Sequence, residues 1–221
     1  MRETETRNIL VVGDLHLPFC LDGYLDWCLE QYENFNCNQV VFIGDILDNH
    51  AFSYHEPDPD GLSAGYELEK SIKQVSEWYN AFEYADVCIG NHDRMAARKG
   101  MSGGIPAAWI KTYNEVLGTP NWNWVENVTY DDVLYEHGEG GQAQTKAKNN
   151  LMSSVCGHTH TEAYCKWFVG KRYRIFAMQV GCGVDADTYA AAYAKNFKKQ
   201  AIGCSVVINN GTLPINLLMP L

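Results

Sequence analysis

This chain lacks a long hydrophobic run near its start: the apolar segment at residues 9–12 is far shorter than the about 18 residues of a membrane span, and shorter than a signal-peptide core. A soluble, cytoplasmic protein without a membrane partner is expected. Cations are scarce too, with 17 Lys and Arg against 27 Asp and Glu and a formal net charge of −10. Broad, non-specific binding to nucleic acid draws on clustered Lys and Arg, so this balance argues against it. The eight cysteines are scattered from Cys20 to Cys204 without a CxxC pair, which points to reduced, mostly buried thiols rather than a disulfide framework. Repeats, low-complexity tracts and an interdomain linker are also missing. What is there is 221 residues with 46% hydrophobic content, enough for one substantial core, and a single domain over residues 1–221 is expected.

The first half alternates short apolar runs with longer amphipathic stretches, the pattern of an α/β protein. Residues 9–13 and 39–44 read as buried strands, with a helix over 23–35 between them. Residues 67–83 place Leu68, Ile72, Val75, Trp78, Tyr79 and Phe82 on one helical face and lead to a strand at 85–90. Beyond residue 119 strands are expected at 132–136, 153–156, 163–169, 173–180, 201–208 and 212–218, with helices at 104–117 and 142–151. Gly170-Lys171 and Asn209-Asn210-Gly211 mark hairpin turns. Residues 50–65, with Pro57, Pro59 and Gly61, read as a long polar loop.

Five polar clusters follow apolar strands in order: Gly13-Asp14-Leu15-His16, Gly44-Asp45-Ile46-Leu47-Asp48, Gly90-Asn91-His92-Asp93, His137-Gly138 and Gly157-His158-Thr159-His160. At the carboxyl ends of strands in an α/β sheet such side chains share one rim and converge although distant in sequence. Asp, Asn and His together form a mixed oxygen and nitrogen ligand set, suited to divalent manganese, iron, zinc or nickel rather than to soft thiolate-bound metals. A lone DxH or HxH is a weak signal. Five pieces agreeing in order and context are a strong one.

In that order the DxH, GDxxD, GNHD, HG and GHTH clusters resemble the calcineurin-like metallophosphoesterase superfamily, over residues 13–160. The resemblance implies an α/β fold, a four-layer αββα sandwich of two mixed sheets flanked by helices. It further implies that Asp14, His16, Asp45 and His160 hold one divalent ion and Asp45, Asn91, His137 and His158 a second. Manganese is the first choice, with iron, zinc, nickel or magnesium as alternatives. Asp45 would bridge, because a carboxylate can bind two cations about 3.5–4 Å apart. Such ions trap a shared water, lower its pKa to give hydroxide for in-line attack, and neutralise the phosphate oxygens. They add about four positive charges locally, so the net charge does not exclude a phosphate-ester substrate. His92 stands at the family's general-acid position, with Asp48 placed to orient its imidazole and raise its pKa. Glu136 precedes His137 where many relatives carry a small residue, a departure that bears on the shape of that loop.

Other residues read more plainly. His50 and His55 fall in the Pro-rich loop and are expected to be solvated. Arg94, with its planar fork of donors, and Asn91 are candidates to grip a substrate phosphate, Arg98 less so. Residues 166–174 mix bases with aromatics, as nucleic-acid surfaces do, but a hairpin with one apolar and one charged face is the expectation. The Tyr- and Ala-rich segment 185–199, with Lys195, Lys198 and Lys199, reads as a surface loop or helix. The function expected is hydrolysis of phosphate esters, with phosphodiesters of nucleotides or short nucleic acid preferred. Protein phosphatases of the family resemble GDxxDRG, whereas Asn49 and His50 follow Asp48 here. Phosphomonoesterase or protein phosphatase activity is the alternative, and a non-catalytic binding module a third reading. The oligomeric state is left open.

Overall fold

Four-residue apolar runs, closed by glycine or a polar residue, make the strands that carry the site. The computed structural model describes residues 6–53, 61–188 and 199–220. Its first half runs β1 (Ile9–Val12), α1 (Tyr24–Asn34), β2 (Gln39–Phe42), α2 (Ala64–Ala81), β3 (Ala85–Cys88), α3 (Met95–Ser102), α4 (Tyr113–Leu117) and β4 (Trp122–Val125). The second runs β5 (Asn127–Tyr130), β6 (Val133–Glu136), α5 (Ala143–Asn150), β7 (Ser153–Cys156), β8 (Tyr164–Val169), β9 (Arg174–Gln179), β10 (Gly203–Ile208) and β11 (Leu213–Leu218). One sheet has the order β11-β10-β1-β2-β3-β4 and the other β5-β6-β7-β9-β8. Both are mixed. In the first, β1 to β4 run parallel while β10 and β11 are antiparallel neighbours. In the second, β6, β7 and β9 run parallel and the edge strands β5 and β8 oppose them.

The two-residue period of a strand sorts its side chains between two cores. Leu10, Val12, Val40, Phe42 and Val87 pack with Tyr24 and Cys28 of α1 and Val75 and Trp78 of α2. Their neighbours Ile9, Val11, Val41, Ile43 and Cys88 pack with Val133, Tyr135, Val155, Phe176 and Met178 of the second sheet. Covered on both faces, these strands are apolar along most of their length, with Asp86 of β3 buried only because Gln39, Asn123 and Tyr130 hydrogen-bond it, and each buried Val, Leu, Ile or Phe contributes about 1.5–3 kcal/mol. Helix α5 covers the second sheet's far face through Ala143 and Ala147 against Cys156 and Ala177. The result is the expected four-layer αββα sandwich.

The expected hairpin turns are present. The β8–β9 hairpin turns at Gly170-Lys171, and the β10–β11 turn uses Asn209, Asn210 and Gly211 at φ 55°, 52° and 76°. All eight cysteines are free. Among the described residues no helix is long and apolar enough to cross a membrane. One expected helix does not form. In place of a helix over residues 104–117 there is a 3₁₀ turn at Ala107–Trp109 and then the short α4. Gly104 takes φ 88° and Pro106 offers no N–H, so helix cannot run through them. Helix α4 starts afresh at a capping box of Thr112 and Glu115. Helix α3 and strands β4 and β5 are additions to the expected elements.

Candidate metal centre

The parallel strands β1, β2 and β3 open onto one rim. Asp14 and His16 follow β1, Asp45 and Asp48 follow β2, and Asn91, His92 and Asp93 follow β3. In the second sheet the parallel β6 and β7 lead to His137 and to His158 and His160. The exits are strained: His16, Asp45, Asn49 and His158 have φ 47°, 49°, 53° and 70°, a left-handed region that non-glycine residues disfavour and that clusters at functional sites. Two glycines let backbone and carboxylate approach. A Cβ on Gly90 would lie 2.0 Å from Asp45 Oδ1, and one on Gly157 would lie 2.2 Å from Asp14 Oδ1.

The side chains converge as two groups. In one, His160 Nε2 lies 3.0 Å from Asp14 Oδ2 and 3.1 Å from His16 Nε2. In the other, His137 Nε2 lies 2.9 Å from Asn91 Oδ1 and 3.1 Å from His158 Nδ1. Asp45 Oδ2 stands between them, 3.5 Å from His16 Nε2 and 3.2 Å from His137 Nε2. Asp14, His16 and His160 offer ligand atoms within 4.8 Å of one another, and so do Asp45, His137 and His158. Every residue of the expected ligand set is thus brought together.

The electrostatics suit a cation. Asp14, Asp45, Asp48 and Asp93 are 2% exposed or less, and among the described residues no Lys or Arg pairs with Asp14 or Asp45. Histidines face them instead. Burial would raise the pKa of Asp45, but His137 and His92 hold it well below the carboxylate range. Burial would lower that of His137, but Asp45 outweighs it and raises it to about 10. His16 is pushed well down by burial and by repulsion from His92 and His160, and His158 is lowered by burial and by His137. Burial and the Asp45 charge push Asp93 up to about 6. Asp14 Oδ1 is buried without a hydrogen-bond partner, a costly state for a carboxylate. Imidazole nitrogens aimed at each other across 3.1 Å need a shared proton or cation between their lone pairs. Carboxylate, amide and imidazole around an orphaned oxygen fit divalent transition-metal ions.

Asp48 faces three histidines, His16, His92 and His50. Its Oδ1 is 2.8 Å from His16 Nδ1 and 3.5 Å from His92 Nδ1, so the carboxylate orients His16 foremost, while His92 Nδ1 meets the Asp48 main-chain oxygen at 2.6 Å. Asp93 ties two loops together by accepting from the Leu47 and Gly90 main-chain N–H groups at 3.0 and 2.9 Å. Arg94 stands at the rim and donates to Glu126 and Glu139. The solvated-loop expectation is wrong for His50. Asn49 turns the chain inward at φ 53°, and His50 is 1% exposed with its Nδ1 2.9 Å from Glu67 Oε2. Nothing in the sequence marked Glu67, a helix residue 3% exposed. In the 166–174 hairpin the Arg174 guanidinium covers Trp167, whose ring packs on Phe176, which is local packing. His55, Lys195 and Lys198 lie outside the described residues.

A model of the family described as calcineurin-like phosphoesterase matches residues 7–179. No curated protein matches the chain. Similar solved structures include an archaeal phosphodiesterase, 14% identical over 96% of this chain and 99% of that one with a TM-score of 0.48. A metallophosphoesterase from Sphaerobacter thermophilus is 12% identical over 97% and 88%, with a TM-score of 0.49. Vacuolar protein sorting 29 from Cryptosporidium parvum is 13% identical over 97% and 99%, with a TM-score of 0.44.

Proposed function

The chain belongs to the calcineurin-like phosphoesterase family, and from that premise we propose that it is a single-domain, dinuclear-metal phosphodiesterase acting on nucleotides or short nucleic acid. In this reading Asp14, His16, Asp45 and His160 hold one ion and Asp45, Asn91, His137 and His158 the other, with manganese the first metal to test. The observation that carries it is the place of Asp45 Oδ2, one carboxylate oxygen between the Nε2 atoms of His16 and His137 at 3.5 and 3.2 Å. When bound, a pair of divalent ions supplies a water of lowered pKa and neutralises charge on the phosphate oxygens.

The remaining chemistry falls to the chain's own groups. His92 Nδ1 faces a carbonyl oxygen at 2.6 Å, so that nitrogen carries a proton and donates it. The other nitrogen, Nε2, is left to serve the substrate, on a side chain 14% exposed. Burial opposes the charged imidazole, but Asp45 and Asp48 outweigh it and raise the His92 pKa. A protonated His92 can therefore give Nε2–H to the leaving oxygen. Asp48 keeps both His92 and His16 in place. Arg94 is the cation nearest this cluster in sequence, and it suits a single phosphate group rather than an extended backbone, which needs many cationic contacts.

The test has two parts. Elemental analysis after loading should give about two ions per chain. Specificity constants for bis-nitrophenyl phosphate, nitrophenyl phosphate, cyclic nucleotides, short single strands and a phosphopeptide should then favour the diesters. A win for the monoester or phosphopeptide by more than about tenfold, or about 1.4 kcal/mol of transition-state preference, overturns the diesterase reading.

A further inference from the structure

Behind the candidate centre lies a buried row of titratable side chains, Asp48, His50 and Glu67, at 0%, 1% and 3% exposure. Glu67 grips His50 twice: Oε2 is 2.9 Å from the ring Nδ1, and Oε1 accepts from the main-chain N–H at 3.2 Å. The same ring nitrogen is 3.7 Å from Asp48 Oδ2. The other Asp48 oxygen, Oδ1, is 2.8 Å from His16 Nδ1. One turn along α2 from Glu67, the Ser71 hydroxyl shares its proton between the main-chain oxygens of Glu67 at 2.8 Å and Leu17 at 3.0 Å. The helix therefore braces both the loop bearing His16 and the loop bearing Asp48.

The chemistry of His16 shows what the row is for. Its Nε2 faces Asp45 Oδ2 and His160 Nε2, so to bind a cation there the ring must be neutral with its proton on Nδ1. That proton needs a correctly rotated acceptor, which is Asp48 Oδ1. The rotation of a buried carboxylate is set by what meets its two oxygens, and the His50 ring, held by Glu67, lies 3.7 Å from Asp48 Oδ2 while His16 meets Oδ1. We propose that His50 and Glu67 are positioning residues: a buried imidazole–carboxylate pair that fixes the rotation of Asp48, and through it the ligand nitrogen of His16 for one ion alone. Among the described residues, the side chains of Asn91, His137 and His158 make no hydrogen bond or ion pair with α2. The proposal rests on the two-ion reading above.

A merely structural brace would lower stability without favouring one ion over the other, so the readout is the affinity of each ion. Manganese(II) titrations by calorimetry on the full chain should compare the wild type with His50→Gln and Glu67→Gln, each with its melting temperature recorded. Both variants should bind one of two ions about ten- to a hundredfold more weakly, with the other ion within about twofold. Glu67→Gln keeps the shape and an acceptor oxygen, so it decides the matter alone if His50→Gln does not fold. Two results overturn the proposal: unchanged affinity for both ions with only the melting temperature lowered, or three ions in the wild type and two in the variants, which would make Asp48, His50 and Glu67 a metal site of their own. Hydrolysis is scored separately. A wild type that binds two ions and cleaves none of the esters ends the diesterase reading and leaves the variant comparison in force.

Discussion

The loops after β1, β2 and β3 hold Asp14, His16, Asp45, Asp48 and Asp93 at 2% exposure or less, whereas the loop after β7 leaves His158 exposed and His160 partly so. Bracing differs in the same sense. Leu15 and His16 both donate to the main-chain oxygen of Asp45 at 3.1 and 2.9 Å, and Leu17 and Asp48 exchange bonds with the opposite loop at 2.8 and 3.0 Å. The second-sheet loops are tied inward instead, as where the His158 N–H donates to Asp14 Oδ2 at 2.8 Å. A buried charge demands surroundings that cannot relax, while a neutral imidazole tolerates water. The first rim is thus the more tightly braced, and of the second-sheet loops the one after β7 is open to water while His137 after β6 is buried.

That contrast predicts unequal damage. Asp45→Asn should lose both ions and on the order of 10³-fold in turnover, since its oxygen serves both groups. His158→Ala should weaken only the ion shared with Asn91 and His137. Metal analysis beside kinetics separates the two, and equal loss of both ions in His158→Ala would erase the distinction between the rims.

His92 belongs to the braced rim but is proposed to act on the substrate. His92→Ala should retain both ions and lose about 10²- to 10⁴-fold on esters with poor leaving groups, with a much smaller loss on a nitrophenolate. Equal losses on both ester types with metals intact would show that His92 does not act as an acid.

The pH dependence sharpens the comparison where the rims touch. In the metal-free chain, burial lowers and Asp45 more than restores the His137 pKa, from 6.5 to about 10. A raised histidine contributes stability that is complete below its ordinary value and is lost as pH rises through the folded one. The melting temperature of metal-free protein should therefore fall between pH 6.5 and about 10. Metal must displace the same proton, so the stabilisation given by manganese(II) should grow over that window. Calorimetric scans at fixed ionic strength check both trends, and a flat metal-free profile would refute the His137–Asp45 pairing.

The braced rim was legible in the sequence because its chemistry is local: Asp, Asn and His placed directly after glycine at strand ends need nothing from elsewhere to be recognised. The layers were legible for a similar reason, as four-residue runs such as Ile9–Val12 can only be strands covered on both faces. What stayed hidden depends on contacts between distant segments. His50 read as a loop residue because only the turn at Asn49 and the reach of Glu67 bury it. Glu67 lies one turn into α2, a helix whose apolar face was recognised from Leu68 to Phe82, and a charge beside that face reads as solvent-facing. The division of Asp48 between His16 and His92 rests on distances of 2.8 and 3.5 Å, which no spacing encodes.

The smallest effect concerns the solvent-facing charges between the rims. Arg94, beside the braced loop, donates to Glu126 and to Glu139, with side chains 26%, 67% and 52% exposed. Exposed pairs contribute about 0–1 kcal/mol and weaken with salt, so Glu126→Gln with Glu139→Gln should hardly move the melting temperature. Both glutamates nonetheless occupy donors that a phosphate would use, because the guanidinium fork accepts either anion. Freed of them, Arg94 should lower KM for a phosphodiester by up to about fivefold, the equivalent of about 1 kcal/mol, with kcat unchanged. Arg94→Ala should raise KM in both backgrounds and remove the difference between them. If Arg94→Ala leaves KM unchanged, the arginine serves only to join the rims and the substrate phosphate is held without it.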